Sequence, residues 1–302
     1  MSGLDAFRTV ALLGNPAQGR VAECLLTLAA HLSERGHRVL VDADSLLRFP
    51  ADSTIGCEEG NFAEEADLVI AIGGDGTLLN AAHALAGRPI PLLGINQGRL
   101  GFLTDISPRS MREDVDRILA GHYAEDRRAL LQARVEREGA ATDDLSGFAL
   151  NDVVVQKAGQ GRILEFETYI DGQFVNAHRG DGLVVATATG STAYALSCGG
   201  PIVVPDLDAL VVTPVCPHTL SDRPLMVRLD RVIEVRLAPD SGDVNVCCDG
   251  ILIGNLTHHD RLIIQRAATQ VRLLHPPDYD YYRLLRSKLH WGREKQTEAW
   301  PV

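Results

Sequence analysis

The chain has 302 residues and carries 29 Lys and Arg against 40 Asp and Glu, a formal charge of −11. That balance speaks against a general nucleic-acid or anionic-membrane surface, so any anionic substrate must meet a local cation. At 45% hydrophobic and 23% charged residues, with no apolar run of membrane-spanning length and no signal-peptide pattern, the expectation is a cytoplasmic globular protein of about two domains. In chain order, residues 9–13 read as a first strand and residues 21–32 as an amphipathic helix. The turn between them has the Gly-x₄-Gly spacing of a P-loop. It lacks the Lys and Ser/Thr that hold phosphate and magnesium, and Pro16 removes an amide, so a P-loop is rejected. Residues 38–43 read as a second strand, residues 44–60 as loop with one short helix, and residues 91–96 as another strand. Residues 110–119 read as a helix with Ser110 as its N-cap. Strands alternating with helices predict a parallel α/β sheet.

The organising stretch is residues 67–80. Five apolar residues from Leu68 fit a strand buried on both faces, and Thr77 to Leu85 read as a helix. Between them lies Gly73-Gly74-Asp75-Gly76. A Gly-rich turn at the carboxyl end of a central strand, beside a helix N-terminus, is where open α/β sheets bind ligands. A carboxylate among phosphate-cradling amides would repel a phosphate unless it holds a hydroxyl or a magnesium ion. Asp75 therefore points to phosphoryl transfer to a hydroxyl. The same four residues also fit a tight turn whose Asp accepts its own backbone amides.

From Arg128 to His275 the pattern changes to short β-branched or alternating runs, at residues 130–136, 152–156, 164–170, 183–187, 232–237, 244–248 and 261–266. Asp171-Gly172, Ser241-Gly242 and Asp249-Gly250 separate several of them. This predicts an antiparallel sandwich, interrupted by one helix at residues 191–198 and followed by another at residues 279–289. Six cysteines without a CxxC or a metal spacing read as buried reduced thiols. His258-His259-Asp260 reads as a polar turn rather than a metal cluster, and no metal-ligating residue is assigned.

Several longer motifs occur together. They are Gly94-Ile95-Asn96-Gln97-Gly98-Arg99-Leu100-Gly101-Phe102-Leu103-Thr104, Asn151-Asp152, and Asp181-Gly182 followed by Thr187-Ala188-Thr189-Gly190-Ser191-Thr192-Ala193-Tyr194-Ala195-Leu196-Ser197. With Pro217-His218-Thr219-Leu220 and His275-Pro276, the chain resembles the bacterial NAD kinases over nearly its whole length. The resemblance implies an α/β plus all-β fold: a Rossmann-like N-terminal domain over residues 1–127, rejoined by a C-terminal helix within residues 276–302, and a C-terminal β-sandwich domain over residues 128–275. It also implies the reaction, transfer of a phosphoryl group from ATP to the 2′-hydroxyl of the adenosine ribose of NAD. Asp75 would face that hydroxyl with Gly76 beside it, and Gly73 and Gly74 would let nucleotide phosphates approach. Asn151 and Asp152 would bind the adenosine of NAD, with Asp152 a shorter arm than the Glu common there. Arg162, Arg179 and Asp181 would line the dinucleotide site. Thr189, Thr192, Ala193, Tyr194, Ala195, Leu196 and Ser197 would form its floor. Many members carry Gln where this chain has Ile251, so that contact is not carried over. Mg²⁺ would arrive as the ATP complex, and a homo-oligomer, dimer or tetramer, is implied through the β domains. Arg162, Tyr169 and Arg179 lie on or beside strands whose edges need cover. Two other functions fit parts of the pattern. A lipid or sugar kinase would share the Asp75 loop; a lipid acceptor would need an exposed apolar entry, and the chain shows no obvious one. A non-catalytic dinucleotide-binding regulator would keep the adenosine contacts and lose Asp75.

Overall fold

The computed structural model describes residues 7–48, 57–98, 101–137, 145–159, 163–239, 241–242 and 244–291. The chain divides into two compact units, residues 1–126 with 272–302, and residues 127–271.

The first unit opens β1 (Thr9–Gly14), α1 (Gly19–Glu34), β2 (Arg38–Val41), α2 (Ala43–Arg48), β3 (Cys57–Glu59), α3 (Phe62–Glu65), β4 (Leu68–Gly73), α4 (Asp75–Ala84), β5 (Leu92–Asn96) and α5 (Met111–Leu119). Its strands are parallel in the order β3-β2-β1-β4-β5. Every residue of β4 is buried, as its unbroken apolar run requires of a strand covered on both faces. Leu68, Ile70 and Ile72 face one core with Leu12 of β1, Leu25, Leu28 and Leu32 of α1, and Val115 and Ile118 of α5. Val69 and Ala71 are buried on the opposite face by the period of two. Ser110 precedes α5 but does not cap it. Its hydroxyl bonds the Ser107 hydroxyl at 2.9 Å, its backbone is already helical, and no side-chain cap bond forms. The edge strand β3 was not foreseen, because Cys57–Glu59 is three residues long and mostly polar.

The second unit runs through β6 (Ala124–Glu136), β7 (Leu145–Ala149), β8 (Asp152–Lys157), β9 (Leu164–Ile170), β10 (Gln173–Gly180) and β11 (Gly182–Thr187). A 3₁₀ turn (Thr189–Thr192) and α6 (Tyr194–Ser197) follow, then β12 (Ala209–Val215), β13 (Leu225–Arg228), β14 (Ile233–Leu237), β15 (Val244–Cys248), β16 (Ile251–Leu256) and β17 (Arg261–His275). One sheet is ordered β10-β9-β14-β17, with β6 and then β7 beyond β17; the other is β13-β12-β11-β8-β15-β16. The residues between the sheets alternate with those facing outward. Val153 and Val155 of β8 and Leu183 and Val185 of β11 enter the shared core with Phe166, Val235 and Ile264. Val154, Val184 and Ala186 point the other way, where Ala188, Ala195 and Val203 cover them. The helix expected over residues 191–198 is in fact the 3₁₀ turn and α6, broken at Ala193 with φ −99° and ψ −127°. Tyr169 is not at an edge, since β9 has β10 on one side and β14 on the other. Arg179 does lie on the outer strand β10.

The unit boundaries fall inside β6 and β17. The end of β17 pairs with β5 of the first unit, Leu273 beside Leu92, so residues 272–275 belong with the α/β unit. After it comes α7 (Tyr281–Leu289), capped by Asp280, whose carboxylate accepts the amides of Tyr282 and Arg283. Among the described residues no helix is long and apolar enough to cross a membrane.

Candidate active site

In the first unit, strand order reverses between β1 and β4, and β1 ends at Gly14 opposite Ile72. Ligands of such sheets bind outside the carboxyl ends of the strands at this switch point. Asp75 stands there as the first residue of α4, after the N-cap Gly74. Gly74 and Gly76 have open space where a side chain would project, whereas Gly73 packs beneath Thr77. The Asp75 carboxylate does not bond its own turn. Its Oδ2 accepts the amide of Phe102 at 2.8 Å, and its Oδ1 accepts the amide of Leu103 at 3.0 Å and the Thr104 hydroxyl at 3.1 Å. The self-bonded turn is therefore not what forms; the donors come from the loop after β5. That loop is itself anchored. The Gln97 amide donates to the Gly73 carbonyl at 3.0 Å and the Asn96 amide to the Ile106 carbonyl at 2.8 Å. Buried His275 bonds Asp105 at 3.0 Å and stacks on Tyr279 with ring centroids 3.9 Å apart.

The second unit brings Asn151, Asp152, Thr189 and Tyr194 to one corner. Asp249, in the β15–β16 hairpin turn with φ 48°, accepts the amides of Leu150, Asn151 and Asp152 at 2.7, 2.8 and 2.9 Å. It thereby fixes the start of β8. Across this corner Gly190 packs on Asn151: a Cβ at Gly190 would lie 2.0 Å from the Asn151 carbonyl oxygen. The Thr187 hydroxyl donates to the Leu150 carbonyl at 2.6 Å and accepts the Gly190 amide at 3.1 Å. Ser191, fully buried, ties the 3₁₀ turn to Val203. Buried Arg128 donates to the Thr189 hydroxyl at 3.1 Å. Asp152 is buried, and its carboxyl accepts the backbone amide of Tyr194. Burial, then the neighbouring Asp249 charge, push its pKa up to about 7. Tyr194 itself is 40% exposed; it is not the core residue that tyrosine's burial habit favours. Burial and the nearby Cys198, Cys216, Asp181 and Asp152 raise its phenol pKa.

The remaining predicted residues scatter. Ala195 is buried against the outward face of the second sheet. Thr192, Ala193 and Leu196 are half-buried and Ser197 is exposed. Asp181 pairs with Lys157 at 2.6 Å, which holds its carboxyl below the usual range. Arg179 pairs with Glu165 at 2.9 Å while 61% exposed. Arg162 lies outside the described residues. Ile251 is exposed beside the Asp249 turn. His258 and His259 sit in the turn between β16 and β17. Among the described residues no three His, Cys, Asp or Glu side chains converge to hold a metal. All six cysteines are free; Cys24, Cys247 and Cys248 are buried, but Cys216 is exposed and Cys57 and Cys198 are intermediate, so not all are core thiols. Sequence reasoning missed three contributors: Asp249, Arg128 and the Thr104 hydroxyl. The Asp-Gly pair signalled a turn at Asp249, and nothing local signalled the amides it would bind.

Family models for the ATP-NAD kinase N-terminal domain and the ATP-NAD kinase C-terminal domain match residues 10–123 and 150–275. The chain belongs to the ATP-NAD kinase family. The NAD kinase of Nitrosococcus oceani is 44% identical over 289 residues, covering 95% of this chain and 98% of the relative. That of Ectopseudomonas mendocina is 44% identical over 290 residues, covering 96% and 98%. A crystal structure of yeast NADH kinase complexed with NADH superposes with a TM-score of 0.87 at 22% identity, over 99% of this chain and 91% of that one. An NAD kinase from Archaeoglobus fulgidus in complex with ATP gives 0.71 at 24% identity, over 93% and 98%. These last two similarities bear on the fold alone. The α/β unit and the sheet-rich unit inferred from the motifs are the architecture of this family.

Proposed function

We infer that the chain is an NAD kinase. It transfers the γ-phosphoryl group of ATP to the 2′-hydroxyl of the adenosine ribose of NAD, giving NADP. The observation that carries the chemistry is Asp75, a carboxylate fixed at a helix N-terminus, at the switch point of a parallel sheet. Phosphoryl transfer passes through a loose transition state, so positioning and charge neutralisation matter more than a strong base. In our reading Asp75 orients the ribose hydroxyl and takes its proton late, as the oxygen bonds to phosphorus. The amides near Gly74 and Gly76 receive donor phosphates, which the open space beside both glycines supports. The corner at Asn151, Asp152 and Tyr194 receives the adenosine of NAD, with Asp181 and Arg179 toward the rest of the dinucleotide.

We propose that a divalent cation, Mg²⁺ by preference, enters as part of the ATP complex, mostly water- and phosphate-ligated as that ion favours. The free cysteines support a reducing compartment, for which we propose the cytoplasm. We propose also a homo-oligomer built through the β unit, because edge strands β10 and β13 carry exposed Phe174, Val175, Leu225 and Met226.

The test incubates purified protein with ATP, Mg²⁺ and NAD and reads NADP with an NADP-specific dehydrogenase. NADP is expected to accumulate. Asp75→Asn keeps size and some hydrogen bonding but removes the charge, and kcat is expected to fall about 10²–10⁴-fold with an unchanged fold by circular dichroism. A folded Asp75→Asn enzyme retaining more than about a tenth of kcat would sink the role given to Asp75.

A further inference from the structure

We propose that Thr104 is a positioning residue for phosphoryl transfer: together with the amides of Phe102 and Leu103, its hydroxyl fixes the Asp75 carboxylate so that one acceptor position on Oδ2 stays open for the substrate hydroxyl. The inference rests on the role of Asp75 given above.

An ionised carboxylate offers about four acceptor positions. The loop fills three of them. Leu103 and Thr104 donate to Oδ1, and Phe102 donates to Oδ2. Among the described residues nothing donates to the fourth, on Oδ2, and Asp75 is only half-buried. Thr104 is fully buried, with 0% exposure, so its hydroxyl cannot turn to water. Nor is the direction of its proton free. The Asn96 side-chain amide donates to Thr104 Oγ1 at 3.3 Å, and the Gly98 amide donates to the Asn96 side-chain oxygen, which fixes which end of that amide faces Thr104. An ionised carboxylate can only accept, so the single proton of Thr104 is committed to Asp75. The relay therefore has one sense, from the Gly98 amide through Asn96 and Thr104 to the carboxylate.

The loop can close over Asp75 only because residue 101 has no side chain. A Cβ at Gly101 would lie 1.9 Å from Asp75 Oδ1 and 2.3 Å from Thr104 Oγ1. A generic loop anchor would not need so close an approach; a cradle shaped to one carboxylate does. The advantage is orientational. A carboxylate free to rotate would present either oxygen in many directions, and misplacing a reacting group by about 1 Å can cost on the order of 10²-fold in rate.

The experiment compares purified Thr104→Val, Thr104→Ser, Asp75→Asn and the Asp75→Asn/Thr104→Val double variant in the NADP assay, with circular dichroism and Tm as folding controls. Thr104→Val keeps the shape and removes the proton. Its kcat is expected to fall roughly tenfold to a hundredfold, with KM for NAD within about threefold. Thr104→Ser restores the hydroxyl and is expected within about threefold of wild type. In the Asp75→Asn background Thr104→Val is expected to add nothing, because it acts through the carboxylate. Should Thr104→Val not fold, Thr104→Ala carries the same comparison. A folded Thr104→Val enzyme with near-normal kcat, beside a crippled Asp75→Asn enzyme, overturns this proposal alone. So does a full Thr104→Val loss on top of Asp75→Asn. An Asp75→Asn enzyme with wild-type kcat overturns the reading of Asp75, and this proposal with it.

Discussion

Asp152 keeps its proton up to about pH 7 in the folded chain, because burial disfavours the charge and Asp249 stands beside it. In an unfolded chain an ordinary aspartate gives up its proton near pH 4. Between those values the native state holds a proton that the unfolded state has lost. Stability contributed by this group is therefore present at acid pH, falls as pH rises from about 4 to about 7, and is flat above. Asp152→Asn removes the titration. Its Tm is expected to decline less than wild type between pH 5 and pH 8 and to exceed it at pH 8, which a thermal-melt series across pH will read. A wild-type chain whose Tm rises over that window relative to the variant would contradict the sign. The opposite economy operates at Asp249, which spends both oxygens on three amides. Two carboxylates sit at one corner: one anchors the chain through backbone amides, and the other is held buried with a labile proton.

At the scale of elements, the strands that were legible are those whose burial pattern is simple. β4 reads as an apolar run because both faces are covered, and β9 reads from its alternation. β12 was hidden by Pro214, which argues against a strand inside a sheet. Here Pro214 lies past the stretch paired with β13, which ends at Val212, so the missing amide is tolerated. β10 (Gln173–Gly180) was hidden because an outer strand presents polar and charged residues. The site divides in the same way. Asp75 and Asn151-Asp152 were legible as motifs, whereas the Asp75 partners lie 27 to 29 residues away and two of the three are backbone amides, which leave no side-chain signature. The outer strands also carry a testable consequence. Exposed Phe174 and Val175 on β10 and Leu225 and Met226 on β13 favour pairing with a second copy. Light scattering at assay concentration is expected to give a multiple of 32.7 kDa, and Phe174→Glu with Met226→Glu to shift the mass toward the monomer. A wild-type protein that is a monomer at every concentration would refute it.

For the whole molecule, the first unit is assembled from two separate lengths of chain, with the entire second unit threaded between them. Leu273 must reach Leu92 to extend the parallel sheet, and His275 must reach Asp105, the residue after Thr104. A chain emerging from the ribosome therefore presents residues 127–271 in full before the α/β unit has all its parts. The order of synthesis and the order of completion are inverted: the segment made first is finished last. A fragment of residues 127–271 is expected to show the far-ultraviolet signature of β structure and a cooperative melt on its own. A fragment of residues 1–126 is expected to melt broadly or aggregate until residues 272–302 are supplied in trans. Any stop codon placed shortly before Arg272 would thus leave an intact β unit tethered to an α/β unit that lacks a strand end and the bond from His275 to Asp105.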